Sequence, residues 1–130
     1  MNPISIPDAI AREEGWLMKP PARCRRNNNP GNIEFATFTK HFGATLEDVP
    51  DGQEARFAVF PTAAEGFAAL RALLGFPRYK GHTLADAIAA WAPPRENETT
   101  EYLKHICAWT GLTPGTIIDG HLGDANADPS

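Results

Sequence analysis

Carboxylates are the side chains of this sequence best suited to chemistry. Glu13 and Glu14 stand directly before Gly15 and Trp16, where an N-terminal helical pattern runs out. The negative pole of a helix C-terminus disfavours an ionised carboxylate, and a neighbouring aromatic that excludes water acts the same way. A carboxyl group kept protonated near neutral pH by such surroundings is a general acid. The alternative is that both are ordinary exposed helix residues. Glu13 lies closer to the apolar stripe and Glu14 at its edge, so periodicity does not choose between them. Glu34, in a short apolar segment further on, is the best second carboxylate if that segment forms a hairpin facing the helix end. Read alone, it serves as well as an outward strand residue opposite Phe35. Glycosidases commonly pair two such groups, and their separation decides retention or inversion.

Other chemistries find less support. Cys24 and Cys107 stand far apart, match no metal-ligand spacing and make no disulfide framework. As free thiols they suit synthesis in the cytoplasm, with a disulfide formed later as the alternative. There is no Gly-x-Ser-x-Gly elbow and no glycine-rich turn carrying a Lys-Ser/Thr pair. His41, His82, His105 and His121 are scattered without a paired spacing, and His41 and His82 read as solvated loop residues. Neither a metal nor a cofactor is implied. Arg23, Arg25 and Arg26 form the basic cluster, suited to substrate carboxylates or to offsetting nearby acids.

Twelve Lys and Arg against sixteen Asp and Glu leave a net charge of -4, which removes the global electrostatic case for nucleic-acid binding. No apolar run approaches the roughly 20 residues of a membrane helix, so no membrane insertion is expected. The start, Met-Asn-Pro-Ile-Ser-Ile-Pro-Asp, has no basic region followed by an apolar stretch, so no secretory leader is expected. A chain of 130 residues with 42% hydrophobic and 22% charged residues reads as one domain able to bury its own core.

The elements that must position these groups follow from local signals. A helix is expected over residues 6–16, capped by Ser5 with Asp8 three residues on, with Pro7 tolerated in the first turn and Gly15 breaking it. Ile6, Ala9, Ile10 and Leu17 form its apolar stripe. From Lys19 to Asn32 the chain reads as irregular, because Asn27-Asn28-Asn29-Pro30-Gly31-Asn32 favours turns. Ile33–Phe38 and Arg56–Phe60 read as the two strands of a hairpin. The acidic stretch between them, with Glu47, Asp48, Asp51 and Glu54, reads as a solvated loop. Thr62 with Glu65 and Thr83 with Asp86 are capping boxes for two further helices. Pro93-Pro94 ends the second of these, Asn97 is read as the cap of a last helix, and Gly111 as its terminator. Residues 1–118 are expected to form the domain and 119–130 a flexible tail. The fold class is α+β, mainly helical, with a small β-hairpin beside the first helix.

Glu14-Gly15-Trp16 and Arg26-Asn27-Asn28-Asn29-Pro30-Gly31-Asn32-Ile33 resemble a family of phage and prophage lysozyme-like proteins. So do Arg56-Phe57-Ala58-Val59-Phe60 with Glu65-Gly66, and Trp91-Ala92-Pro93-Pro94 with Glu96-Asn97-Glu98-Thr99 and Tyr102. The resemblance spans about Ile10 to Gly111. It implies a lysozyme-like fold and cleavage of peptidoglycan between its amino sugars, either by hydrolysis or by internal attack giving an anhydro-sugar. In that superfamily an essential Glu ends the first long helix and protonates the glycosidic oxygen, a role that fits Glu14. The Asp that phage-type lysozymes carry shortly after this Glu has no counterpart, since Leu17 to Asn32 contain no carboxylate. Glu34 is then the candidate partner.

Trp16, Arg26, Asn28, Asn29, Asn32 and Tyr102 are the expected substrate-binding residues. Amides suit sugar hydroxyls and N-acetyl groups but also stabilise turns, and at least two of the four asparagines are read as turn formers. Trp16 is open between a cleft wall and a core position, whereas Trp91 and Trp109 read as packing. The resemblance implies action at the bacterial cell wall as an endolysin released through a holin, as a virion-associated protein beside other virion components, or as an injected effector. The alternative is a virion or wall-binding module of the same fold without catalysis.

Overall fold

The structure, a computed structural model, describes residues 2–94 and 98–123. Its first helix, α1 (Ile6–Glu14), starts where the Ser5 hydroxyl accepts the Asp8 N–H at 3.3 Å. It ends at Gly15, whose φ of 105° is left-handed and whose N–H turns back to the Ala11 and Arg12 carbonyls. Ile6, Ala9, Ile10 and Ala11 bury its inner face, and α1 packs chiefly on the last helix, α6 (Thr99–Thr110). Leu17, expected on the apolar stripe, is instead exposed, because the chain reverses at Gly15 before reaching it. The segment read as irregular carries one helical turn, α2 (Arg23–Arg26), which buries Cys24.

The expected hairpin is replaced by a different one. Ile33–Phe38 is not a strand: Glu34 makes a single antiparallel bridge with Phe57, and the chain then enters a short helix, α3 (Thr37–Lys40). The Thr39 hydroxyl turns it, accepting the Ala36 N–H at 3.0 Å and donating to the Ala36 carbonyl at 2.8 Å. The strands are β1 (Thr45–Leu46) and β2 (Ala58–Val59), antiparallel with Thr45 opposite Val59 and Leu46 opposite Ala58. The β2 segment lies between two neighbours. Ala58 N–H bonds the Ile33 carbonyl on one side, and Glu47 N–H bonds the Phe57 carbonyl on the other, each at 3.0 Å.

The helices that follow start at their expected caps. Thr62 accepts the Glu65 N–H at the start of α4 (Ala63–Leu74), and Thr83 accepts the Asp86 N–H at the start of α5 (Leu84–Trp91). Gly111, at a φ of 74°, ends α6. The expected cap Asn97 lies outside the described residues. Gly66 lets α4 meet the asparagine loop, because a Cβ there would stand 1.9 Å from the Asn28 carbonyl oxygen.

Among the described residues the chain is therefore an α+β fold of six helices and a two-stranded antiparallel sheet. One core gathers Ile6, Ile10, Phe60, Leu70, Leu84, Ile88, Ile106 and Ile118; a smaller one joins Ala11, Trp16, Cys24 and Phe67. The described part of the expected tail is tied to the body. Thr83 bridges Ile117, Asp119 accepts the Gly81 N–H at 2.8 Å, and the His121 carbonyl accepts the Ile6 N–H at 3.0 Å. Packed structure thus runs to Gly123, five residues past the expected boundary at 118. None of the helices among the described residues is long and apolar enough to cross a membrane.

Candidate functional site

Gly15 stops α1 one residue after Glu14, so the Glu14 carboxyl stands at the end of the helix. Two residues from distant segments reach it. Asn32 Nδ2 donates to Oε1 at 2.9 Å, and the Tyr102 hydroxyl donates to Oε2 at 2.7 Å. Asn32 sits at a φ of 48°, a left-handed conformation that asparagine tolerates better than most side chains, and this aims its amide at the helix end. Its Oδ1 is buried without a hydrogen-bond partner. Tyr102 is buried on α6. Burial first, and then the Glu14 carboxylate beside it, push its phenol well above the ordinary value. It therefore remains a proton donor throughout the neutral range.

Glu14 and Asn32 open onto a cleft of about 900 Å³. Ile33, Glu34, Ala36, Phe38, Arg56 and Phe57 line it from the sheet region; Leu73, Phe76, Arg78, Tyr79 and Trp91 line it from α4, α5 and the turn between them. Phe38 stacks edge-on against Phe76 with ring centroids 4.8 Å apart, and Tyr79 lies 5.8 Å from Trp91. Aromatic faces beside a few polar groups suit a ligand with both apolar ring faces and hydroxyls. No family model and no curated protein matches the chain.

The two glutamates that periodicity left open part company here. Glu13 Oε2 meets His105 Nδ1 at 2.7 Å on α6 and does not line the cleft, whereas Glu14 does. Glu34 also lines the cleft, but its exposed side chain is ion-paired with the Arg56 guanidinium. The asparagines divide as well. Asn29 is wholly buried, giving Nδ2 to the Ile33 and Ala58 carbonyls and taking the Ile33 N–H, all at 2.9 Å. Asn28, at a φ of 51°, donates to the Phe60 carbonyl at 3.1 Å. Both tie the loop to neighbouring backbone and neither lines the cleft, whereas Asn32 does.

Trp16 and Arg26 are likewise not brought to the cleft. Trp16 is buried against Phe67, with centroids 5.2 Å apart, and the Arg25 guanidinium covers it at 4.4 Å. The turn at Gly15 sends it into the smaller core. Arg26 donates to the Pro21 carbonyl at 2.7 Å. Trp91, read as packing, turns out to line the cleft. Cys24 Sγ donates to the Glu14 carbonyl oxygen at 3.5 Å, and burial raises its thiol pKa, so it acts as a small donor beneath the helix end. Both cysteines are free. Among the described residues no cluster of His, Cys, Asp and Glu is arranged to hold a metal.

Two features escaped the sequence. Arg78 and Tyr79 occupy a turn that no periodicity marks. Glu47, read as a solvated loop residue, is buried. Arg23 Nε donates to it at 3.0 Å, with a second guanidinium contact from Nη2. Asn27 Nδ2 donates at 3.2 Å, and the Arg56 and Phe57 N–H groups each donate at 3.0 Å. The Arg23 guanidinium and these donors hold the Glu47 pKa at about 2.

Proposed function

We propose that the protein is a peptidoglycan-cleaving glycosidase of lysozyme-like fold in which Glu14 is the general acid. The observation that carries this reading is the placement of Glu14. Its carboxyl ends the first helix, opens on an aromatic cleft, and is oriented at both oxygens by the neutral donors Asn32 and Tyr102. Two fixed donors hold the plane of the carboxyl group and leave one lone pair on each oxygen for a proton or a substrate atom.

In the proposed step protonated Glu14 transfers its proton to the glycosidic oxygen. The bond from the anomeric carbon to that oxygen breaks, and its electron pair leaves with the oxygen. The positively charged sugar is then captured by water, or by its own hydroxyl to give an anhydro-sugar; in either case the attacking O–H gives its proton to Glu14 and restores the acid. Glu34, ion-paired with Arg56 on the same cleft, is the carboxylate available to favour the positive charge.

A second reading, a wall-binding module without catalysis, is favoured by that same ion pair. It leaves Glu14, among the described cleft residues, as the one carboxylate without a cationic partner. Mass spectrometry of the soluble products from purified peptidoglycan separates the two. Reducing-end muropeptides establish a hydrolase and anhydro-muropeptides a transglycosylase, provided they vanish with Glu14→Gln. A parent protein that sediments with the wall and releases nothing establishes the binding module.

A further inference from the structure

Cations near the cleft differ in what they already touch. Arg56 is paired with Glu34. Away from the cleft, Arg23 is paired with Glu47, Arg25 covers Trp16, and Arg26 bonds a carbonyl. The basic cluster that sequence singled out is thus consumed in holding the fold. Arg78 is different. It lines the cleft from the turn between α4 and α5, is exposed, and among the described residues has no carboxylate within ion-pair distance. Its guanidinium is nonetheless oriented. Nη2 donates to the Ala90 carbonyl at 3.3 Å, and the carbon of the guanidinium stands 5.9 Å from the Tyr79 ring centre. One donor edge is occupied, and the remaining N–H groups of the fork are free to meet an anion.

We propose that Arg78 is a specificity-determining residue that binds a carboxylate carried by the sugar strand, so that the cleft prefers acid-bearing strands to neutral ones. Resting on the glycosidase reading for its substrate class, it adds a reason for this cleft to discriminate between acid-bearing and neutral amino-sugar strands. A guanidinium takes a carboxylate through two parallel N–H···O bonds, and the neighbouring aromatic rings lower the local dielectric in which those bonds form. Two sources supply the same chemistry, a carboxylate directly on the sugar or the acidic groups of an attached peptide.

Affinity and turnover should be measured together on three soluble strands: neutral N-acetylglucosamine oligomers, glycan strands stripped of peptide, and peptide-bearing strands. The parent is expected to favour one acid-bearing strand over the neutral one by roughly tenfold or more. Whichever acid-bearing strand wins identifies the source of the carboxylate. Arg78→Gln should collapse that ratio towards one, chiefly through affinity and KM. Arg78→Lys should restore part of it, and raised salt should lower it in the parent. Lys104→Gln, which removes a charge outside the cleft, should leave the ratio in place.

Equal affinity of the parent for charged and neutral strands would overturn the proposal, as would a ratio that survives Arg78→Gln or a failure to bind any strand. Arg78-dependent binding with no turnover would uphold it while removing the glycosidase reading, so the two fail separately.

Discussion

Two carboxylates in this molecule are held by hydrogen bonds, and they are held to different ends. Glu47 is shut away beneath Arg23, with Asn27 and two backbone N–H groups completing its acceptor sites, four donor residues in all. A cation and saturated lone pairs hold it as an anion throughout the neutral range. Among the described residues Glu14 has one neutral donor per oxygen, no cation in ion-pair contact, and an open side towards the cleft. Donors that saturate a carboxylate build structure; donors that only orient it leave it able to carry a proton.

The difference can be stressed by substitutions of decreasing effect. The largest is expected at Gly66, the close approach that lets α4 press on the asparagine loop serving both sites. Gly66→Ala forces a Cβ into the Asn28 carbonyl and should lower stability by more than about 3 kcal/mol in denaturant unfolding.

Next comes Glu47→Gln, which leaves Arg23 without its counter-charge and should cost roughly 2–3 kcal/mol. Its pH signature is distinct. The folded pKa, about 2, lies below the ordinary value of 4.5, so the stabilisation is complete above 4.5 and is lost as pH falls towards 2. The parent should lose stability across that window, and Glu47→Gln should lose markedly less. Equal acid sensitivity in both would show that the pair does not set the acid limit.

Tyr102→Phe probes the other site. It removes one orienting donor from Glu14 and should lower kcat by about tenfold with a stability loss of about 1 kcal/mol. A loss of stability alone would make the contact structural, like those at Glu47. The smallest stability effect is expected at Glu34, where an exposed ion pair contributes little. Glu34→Gln should shift stability by less than about 0.5 kcal/mol, so any change in kcat then reports on the cleft.

Local hydrogen bonds made part of this fold legible. Ser5, Thr62 and Thr83 cap helices because a hydroxyl and an N–H three residues on need only each other, and Gly111 ends α6 because it alone takes the left-handed turn there without strain. The Phe-rich Ile33–Phe38 segment misled because apolar content signals burial without fixing the backbone, and the Thr39 hydroxyl wraps it into a turn. Glu47 was invisible because its partners Arg23 and Asn27 lie 24 and 20 residues earlier. Tyr102 lies 88 residues from Glu14, and only the packing of α1 on α6 brings them together. Of the asparagines, Asn29 bonds both nearby Ile33 and distant Ala58, Asn28 reaches the carbonyl of Phe60 32 residues on, and Asn32 meets the Glu14 carboxylate, so only the Asn29–Ile33 bonds are local enough for sequence to suggest.

The contrast between the two carboxylates is tested most directly by measuring thermal unfolding and release of soluble muropeptides side by side for the parent, Glu14→Gln and Glu47→Gln. Glu14→Gln should melt close to the parent and release nothing: the amide oxygen still accepts from Asn32, the amide nitrogen can donate to the Tyr102 oxygen in a bond of reversed direction, and the group carries no transferable acid proton. Glu47→Gln should melt earlier yet, at a temperature where it is folded, release the same products as the parent. Undiminished release by Glu14→Gln, or products that disappear with Glu47→Gln while it remains folded, would contradict the assignment of the reactive and the structural carboxylate.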